Sequence, residues 1–210
     1  MNTAHFKAEL VYAQVKRALK SGRYVPGQRL DLAKLAAEHN ASLTPARYAL
    51  YRLVGERLIE LRAGDGLLVP LPSETALREL YWWMEQVLLM ACDPGISQSQ
   101  QRAARTLEIP SPGDDVVELT WQLFDAIGEA AGKHPLHQVI ARTNDQLAPI
   151  RRTKQHLLEH GFDELLELVR YWNERDFPAL RSALRGYHAR RRRLVPSIVA
   201  ALLERRNALH

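Results

Sequence analysis

Apolar side chains recur at three- and four-residue steps over 4–22, where Phe6, Leu10, Val11, Val15, Ala18 and Leu19 share one face. Gly22 follows the last periodic residue and Pro26-Gly27 lies just beyond, so the pattern predicts a helix with a clear stop. A shorter helix is predicted in DLAKLAAEHN, opening on Asp31 as N-cap and closing near Asn40. The tight connection NAS then leads into SLTPARYALYRL. Ser42 or Thr44 can cap this third helix, and Pro45 falls in its first turn, where a missing N–H costs nothing. Ala46, Ala49, Leu50, Leu53 and Val54 form its buried stripe, which leaves Leu43, Thr44, Arg47, Tyr48, Tyr51 and Arg52 on other faces. LIELRAGDGLLV follows, two apolar runs joined through Gly64-Asp65-Gly66, a hairpin signal. Helix, helix-turn-helix and hairpin in this order predict a winged helix.

The pattern changes at PLPSE, where Pro70 and Pro72 end the wing and Ser73 can cap the next helix. We therefore divide the chain into a winged helix over 1–70, a linker over 71–75 and a helical domain over 76–210. In that last part no strand pattern and no repeat is found. Helices are predicted in TALRELYWWMEQVLLMAC, within GISQSQQRAARTLEIPSPGDD, and in VVELTWQLFDAIGEAAG up to Gly132. A long one, PLHQVIARTNDQLAPIRRTKQHLLEH, carries Pro149 as an expected bend or break. DELLELVRYWNERD is amphipathic, and Asp176-Phe-Pro opens a single last helix, PALRSALRGYHARRRRLVPSIVAALLERR. The expected fold class is mostly α, a winged helix-turn-helix followed by an all-α bundle of about six helices.

Composition adds limits. At 46% hydrophobic and 25% charged residues, the chain can bury a real core. One cysteine, Cys92, excludes a disulfide framework and a Cys-rich zinc site, and fits a reducing cytoplasm. MNTAHFKAEL has no apolar leader segment, and no run approaches the roughly 18 apolar residues of a membrane span. A soluble, intracellular protein is expected. Net charge is +5, and all of the excess lies in residues 1–70, with 11 Lys/Arg against 6 Asp/Glu; residues 71–210 hold 18 of each. A basic module joined to a neutral one suits phosphate binding by the first third. No nucleophile elbow, phosphate loop, Cys-His pairing or dense acidic cluster is present, so an enzyme is not expected.

The stretches VYAQVKRALKSGRYVPGQRL, LAKLAAEHNASLTPARYALYRL and RAGDGLLV resemble the DNA-binding domain of GntR-type bacterial transcription regulators, over residues 5 to 70. The resemblance implies a double-stranded DNA operator as partner. Contact is expected from Lys34, Ser42, Thr44, Ala46, Arg47 and Arg52, and from Arg62, Gly64 and Gly66 of the wing, with Ala46 serving the buried stripe as well. Arg47 is the base-reading candidate; Lys34, Arg52 and Arg62 suit phosphates. Leu43 stands where relatives often carry a DNA-reaching arginine, which implies a different or less stringent half-site.

Past the linker, FDAIGEAAGKHPL and NERDFPALRSALRGYH resemble the helical FCD domain of the FadR branch, with a link about ten residues shorter than usual. Many such domains hold a metal on one Asp and three His. Those positions fall here on Thr120, Phe124, Leu165 and Tyr187, so no metal or other cofactor is expected. The family usually senses small organic acids or related metabolites and works as a homodimer, often as a repressor. Arg78, Tyr81, Glu85, Thr120, Phe124, Arg142 and Tyr187 are the candidates to line an effector pocket. The competing reading is a filled core, with Phe124, Trp121 and Leu165 occupying the space. His134 with His137, and His156 with His160 at i, i+4, give no other metal constellation. Arg190 to Arg193 spread around a helix turn and read as a solvated end pairing with nearby acids. The alternative to a regulator is a helical interaction or dimerisation protein that retains a winged helix without sensing an effector.

Overall fold

The computed structural model describes residues 3–93, 95, 104–153, 157 and 160–208. In the first seventy residues, α1 (Thr3–Ser21), β1 (Arg29–Leu30), α2 (Leu32–Glu38), α3 (Leu43–Gly55), β2 (Glu60–Arg62) and β3 (Gly66–Leu68) follow in order. Each boundary has a local cause. Asp31 Oδ1 accepts from the amides of Ala33 (2.8 Å) and Lys34 (3.1 Å), capping α2. Asn40 takes a positive φ of 49° to turn the chain toward α3. Ser42 occupies the N-cap of α3 but makes no side-chain cap hydrogen bond.

Strand order is β1-β3-β2, antiparallel throughout, with Glu60 opposite Leu68 and Arg62 opposite Gly66. The hairpin is therefore the expected wing. The two-residue strand β1 was not legible from its pattern. It exists because Arg29 and Leu30 pair with Leu68 and Leu67.

The core of this unit joins Val11, Val15 and Leu19 of α1 with Leu35 of α2, Ala46, Ala49, Leu50 and Leu53 of α3, and Ile59 and Val69 beside the wing. Phe6 (61% exposed) and Leu10 (42%) stay outside it, although the periodicity placed them inside. They lie in the first turns of α1, off the face whose residues His5, Ala8 and Glu9 border α3. Val54 is only half-buried, and Pro45 fills the stripe instead.

Six helices are described after the linker: α4 (Glu74–Ala91), α5 (Val116–Ala130), α6 (His134–Thr153), α7 (Gly161–Glu174), α8 (Phe177–Arg193) and α9 (Val195–Asn207). Ser73, Asp115 and Asp176 cap α4, α5 and α8 with their side chains. Leu165, Leu168, Val169 and Trp172 are the buried i, i+3, i+4, i+7 stripe of α7. Helix α8 packs on α4 and α7, and α5 packs on the same two.

Two expectations are corrected. Helix α6 runs through Pro149 to Thr153 rather than breaking there. The predicted last helix is two, interrupted at Leu194. Pro196 explains the interruption, because it has no N–H for the carbonyl of Arg192. That carbonyl instead accepts from Arg78 Nη1 at 2.6 Å. The segment 104–110 takes neither helix nor strand, and it is stitched to α7. Asn173 Nδ2 donates to Leu107 O (2.8 Å), Leu107 N donates to Asn173 Oδ1 (2.9 Å), and Trp172 Nε1 donates to Arg105 O (3.1 Å). The short helix expected nearby, and the His156 end of the His156–His160 pair, lie outside the described residues.

Two compact units result, Met1–Leu71 with Ala148–Thr153 and Ala200–His210, and Pro72–Leu147 with Lys154–Val199. The first thus also takes in the ends of α6 and α9. Among the described residues no helix is long and apolar enough to cross a membrane.

Candidate nucleic-acid interface

Helix α3 buries Ala46, Ala49, Leu50 and Leu53, so its 3.6-residue period must turn Thr44, Arg47, Tyr48 and Tyr51 outward. Two grooves flank this outward face. One, of about 690 Å³, runs between α3 and the wing, and Arg29, Lys34, Arg47, Tyr51, Leu61 and Gly66 line it. The other, of about 400 Å³, lies between α3 and α1, with Thr44, Tyr48 and Arg52 among its walls.

The wing-side groove thus gathers three cations on α2, α3 and β1. Tyr51 is 52% exposed and Leu61 58%, large apolar surfaces left facing outward beside those charges. Lys34, Arg47 and Gly66 were expected at the interface and are brought together here. Gly66 follows the turn of the wing, opposite Arg62, with φ of +77°, and Gly64 lies in the turn itself with +85°. Both conformations favour glycine, which lets the hairpin turn tightly. Nothing lies within 4 Å of where a Gly64 side chain would be, so the wing tip is bare.

The remaining candidates separate. Ser42 and Thr44 are exposed at the start of α3. Arg62 is exposed and pairs with Glu60 at 2.7 Å, outside the groove. Ala46 is fully buried, at 0% exposure, and its side chain belongs to the core instead of the DNA-facing set. Helical spacing alone already placed it there.

Arg52 is held on the α1 side. Its Nη1 donates to both carboxylate oxygens of Glu9 (2.7 and 2.9 Å), its Nε lies 3.6 Å from Glu56, and its guanidinium covers the Tyr12 ring at 3.9 Å. Burial opposes the Arg52 charge, but Glu9, Tyr12 and Glu56 together raise its pKa. Tyr12 donates its phenol proton to Glu56 at 2.8 Å. Burial first, and that hydrogen bond second, push the Tyr12 pKa upward. This polar cluster braces α1 against α3. Its members are more than forty residues apart where they hydrogen-bond across the two helices, 43 for Glu9 with Arg52 and 44 for Tyr12 with Glu56, so no local pattern announces it.

Arg29 is the interface residue that the sequence reading passed over. The only available signal was its place beside a strand that the pattern did not reveal.

In the helical unit, the expected pocket residues do not form one site. Tyr81, Thr120, Phe124, Leu165 and Tyr187 are buried, none more than 3% exposed. Phe124 meets the Tyr187 ring edge-on at 5.5 Å and stacks on His188 at 5.8 Å. Thr120 turns its hydroxyl back to Val116 O at 2.6 Å. Glu85 pairs with Arg192, while Arg190 and Arg191 both reach Glu164, and Arg191 covers the Tyr187 ring. Arg190, Arg191 and Arg192 thus pair with acids as expected, but Arg191 is buried at 2% exposure rather than solvated. Arg78 and Arg142 are corrected: both are exposed, Arg78 closing the α8–α9 break and Arg142 facing away from the interior. His134 bonds Gln138, and His137 bonds Asp125 at 2.9 Å, so the two histidines do not converge. Among the described residues no three His, Cys, Asp or Glu side chains form a group that could hold a metal.

A basic groove between a helix-turn-helix and its wing, joined to a helical unit, defines the class as a transcription-regulator fold of the winged-helix kind. Residues 7–69 match the family of bacterial regulatory proteins named gntR, and the N-terminal domain of this chain belongs to that family. No curated protein matches the chain. Among solved structures, it is similar to E. coli McbR/YncC, at 18% identity over 94% of this chain and 99% of that one, with a TM-score of 0.66. It is also similar to a protein from Rhodococcus sp. RHA1 described as a GntR transcriptional regulator, at 15% identity over 90% and 97%, with the same TM-score of 0.66. At these identities the likeness is one of fold, and it extends through both units.

Proposed function

We propose that the protein is a sequence-specific, double-stranded-DNA-binding transcription regulator that acts as a homodimer in the bacterial cytoplasm. One observation carries this reading: Lys34 and Arg47 converge with the wing on one outward groove of a gntR-family domain. Arg47, exposed on α3, can enter the major groove and grip guanine O6 and N7 bidentately. Lys34 supplies charge toward the phosphates. Thr44 and Tyr48 extend the same outward face toward the α1 side. Two copies would read two half-sites about one helical turn apart, or a multiple of that.

The helical unit is proposed as an FCD-like domain that sets dimer geometry without a metal. Phe124 and Leu165 carry no donor atom at positions where the family's ligands are expected. The rings of Phe124, Tyr187 and His188 pack against one another in that place, which supports the filled core over an effector cavity there.

The test is selection of genomic fragments by the purified protein, followed by titration of the selected DNA. The wild type is expected to bind a subset of fragments selectively. Arg47→Ala at constant salt is expected to lose about 1–3 kcal/mol of discrimination between selected and mutated sites. Binding that ignores sequence in the wild type, or an Arg47→Ala variant with undiminished discrimination, would sink the assignment. Capture of no DNA at all would favour the helical interaction protein.

A further inference from the structure

Arg29 belongs to a different element from every candidate on the recognition helix. It lies on β1, opposite Leu68 of β3, at the sheet edge away from β2. Successive strand residues point to opposite faces. Leu30 is buried at 5% exposure, so Arg29 is turned to solvent, and it is exposed. Its guanidinium extends along β3 toward Gly66, the residue that follows the wing's turn. Nη2 and Nε come within 3.8 and 3.9 Å of where a Cβ on Gly66 would sit. Asp31, two residues on, has Oδ1 committed to two backbone amides as the α2 cap.

We infer that Arg29 is a DNA-backbone contact, gripping a phosphate at the wing-side lip of the groove while Arg47 reads bases from α3. The inference rests on the DNA-binding reading above and adds a residue to it. A phosphate suits Arg29 better than a base edge, for a geometric reason. The groove's floor is supplied by α3, whereas Arg29 rises from the sheet that forms its margin. A guanidinium presents a fork that matches phosphate oxygens and does not lose its charge. The same arginine also explains why the interface would stay strongly cationic although Arg52 is spent on Glu9 and Tyr12.

The experiment measures the affinity of the full chain for a fragment that the wild type selects, and for a scrambled one, over a series of salt concentrations. Wild type is compared with Arg29→Gln, Arg29→Ala and Arg29→Lys. Loss of one phosphate contact lowers the slope of log affinity on log salt by about 0.9, which corresponds to roughly a five-fold weakening near 0.15 M salt. Arg29→Gln and Arg29→Ala are expected to show both effects, to similar extents on both fragments. Arg29→Lys is expected to keep the slope. Matching melting temperatures and circular dichroism show which variants are folded, and Arg29→Gln keeps the side-chain stem should Arg29→Ala not fold. An unchanged slope in a folded charge-removing variant overturns the inference and leaves the DNA-binding reading intact. So does a change confined to the selected fragment, which would make Arg29 a base reader. A wild type with no DNA affinity overturns both.

Discussion

Arg47 and Arg52 stand five residues apart on α3 and differ in what surrounds them. Arg47 is exposed on the wing-side groove, whereas Arg52 is braced by Glu9, Glu56 and the Tyr12 ring. Arg52→Ala is therefore expected to leave the salt slope of DNA binding unchanged. It should lower stability by less than about 1 kcal/mol, since the ion pair is half-exposed. Denaturant unfolding and a salt titration check the two parts. Asp31 carries a pH signature. The amides of Lys34 first, and Ala33 second, hold its carboxyl below the ordinary carboxylate range. A depressed folded pKa means that the stabilisation is complete above the ordinary range and is lost as pH falls through the depressed value. Asp31→Asn keeps an acceptor for the cap without a titrating charge. Its stability should fall less steeply below about pH 4 than that of the wild type, as measured by melting temperature against pH.

At the scale of elements, α5 and α6 approach so closely at Gly128 that a Cβ there would meet His137 at 3.0 Å and Ile140 at 3.2 Å. Alanine is favoured over glycine in a helix interior by about 1 kcal/mol. Ile140 is fully buried and cannot step aside, and overpacking a core costs about 1–3 kcal/mol. Gly128→Ala is thus expected to lower the melting temperature despite its better propensity. An increase would show that the helices can separate at no cost. Element boundaries divide in the same way between local and distant causes. Asp31, Ser73, Asp115 and Asp176 cap their helices through amides two or three residues away, so those starts were readable. Strand β1 depends on Leu67 and Leu68, nearly forty residues downstream, and two residues carry no pattern of their own. The break at Leu194 was readable in principle from Pro196, but the apolar periodicity continues across it and masked the proline.

For the molecule as a whole, the helical unit has Phe124, Leu165, Tyr187 and Thr120 at the positions where the resemblance to FCD domains implied metal ligands. Neither added Zn, Ni or Mn nor a chelator should shift the melting temperature or the DNA affinity of the protein. A rise of several degrees with one divalent ion would refute the metal-free proposal. In the homodimer proposed above, rings packed at that position would leave a signal to act through the placement of the two winged helices.

The sequence by itself determined the winged helix, the helical remainder and the place of Arg47, because each rests on local rules. Helical period, capping residues and the glycine-rich hairpin act within a few residues of one another. Only the tertiary structure decided that Arg52 is a brace and that Arg29 lines the groove. It alone set the candidate effector residues into a packed interior or out on the surface. Those assignments depend on distant partners, 43 residues away for Arg52 with Glu9 and 107 for Arg192 with Glu85. No periodicity in the chain records which charges will meet once the helices have packed.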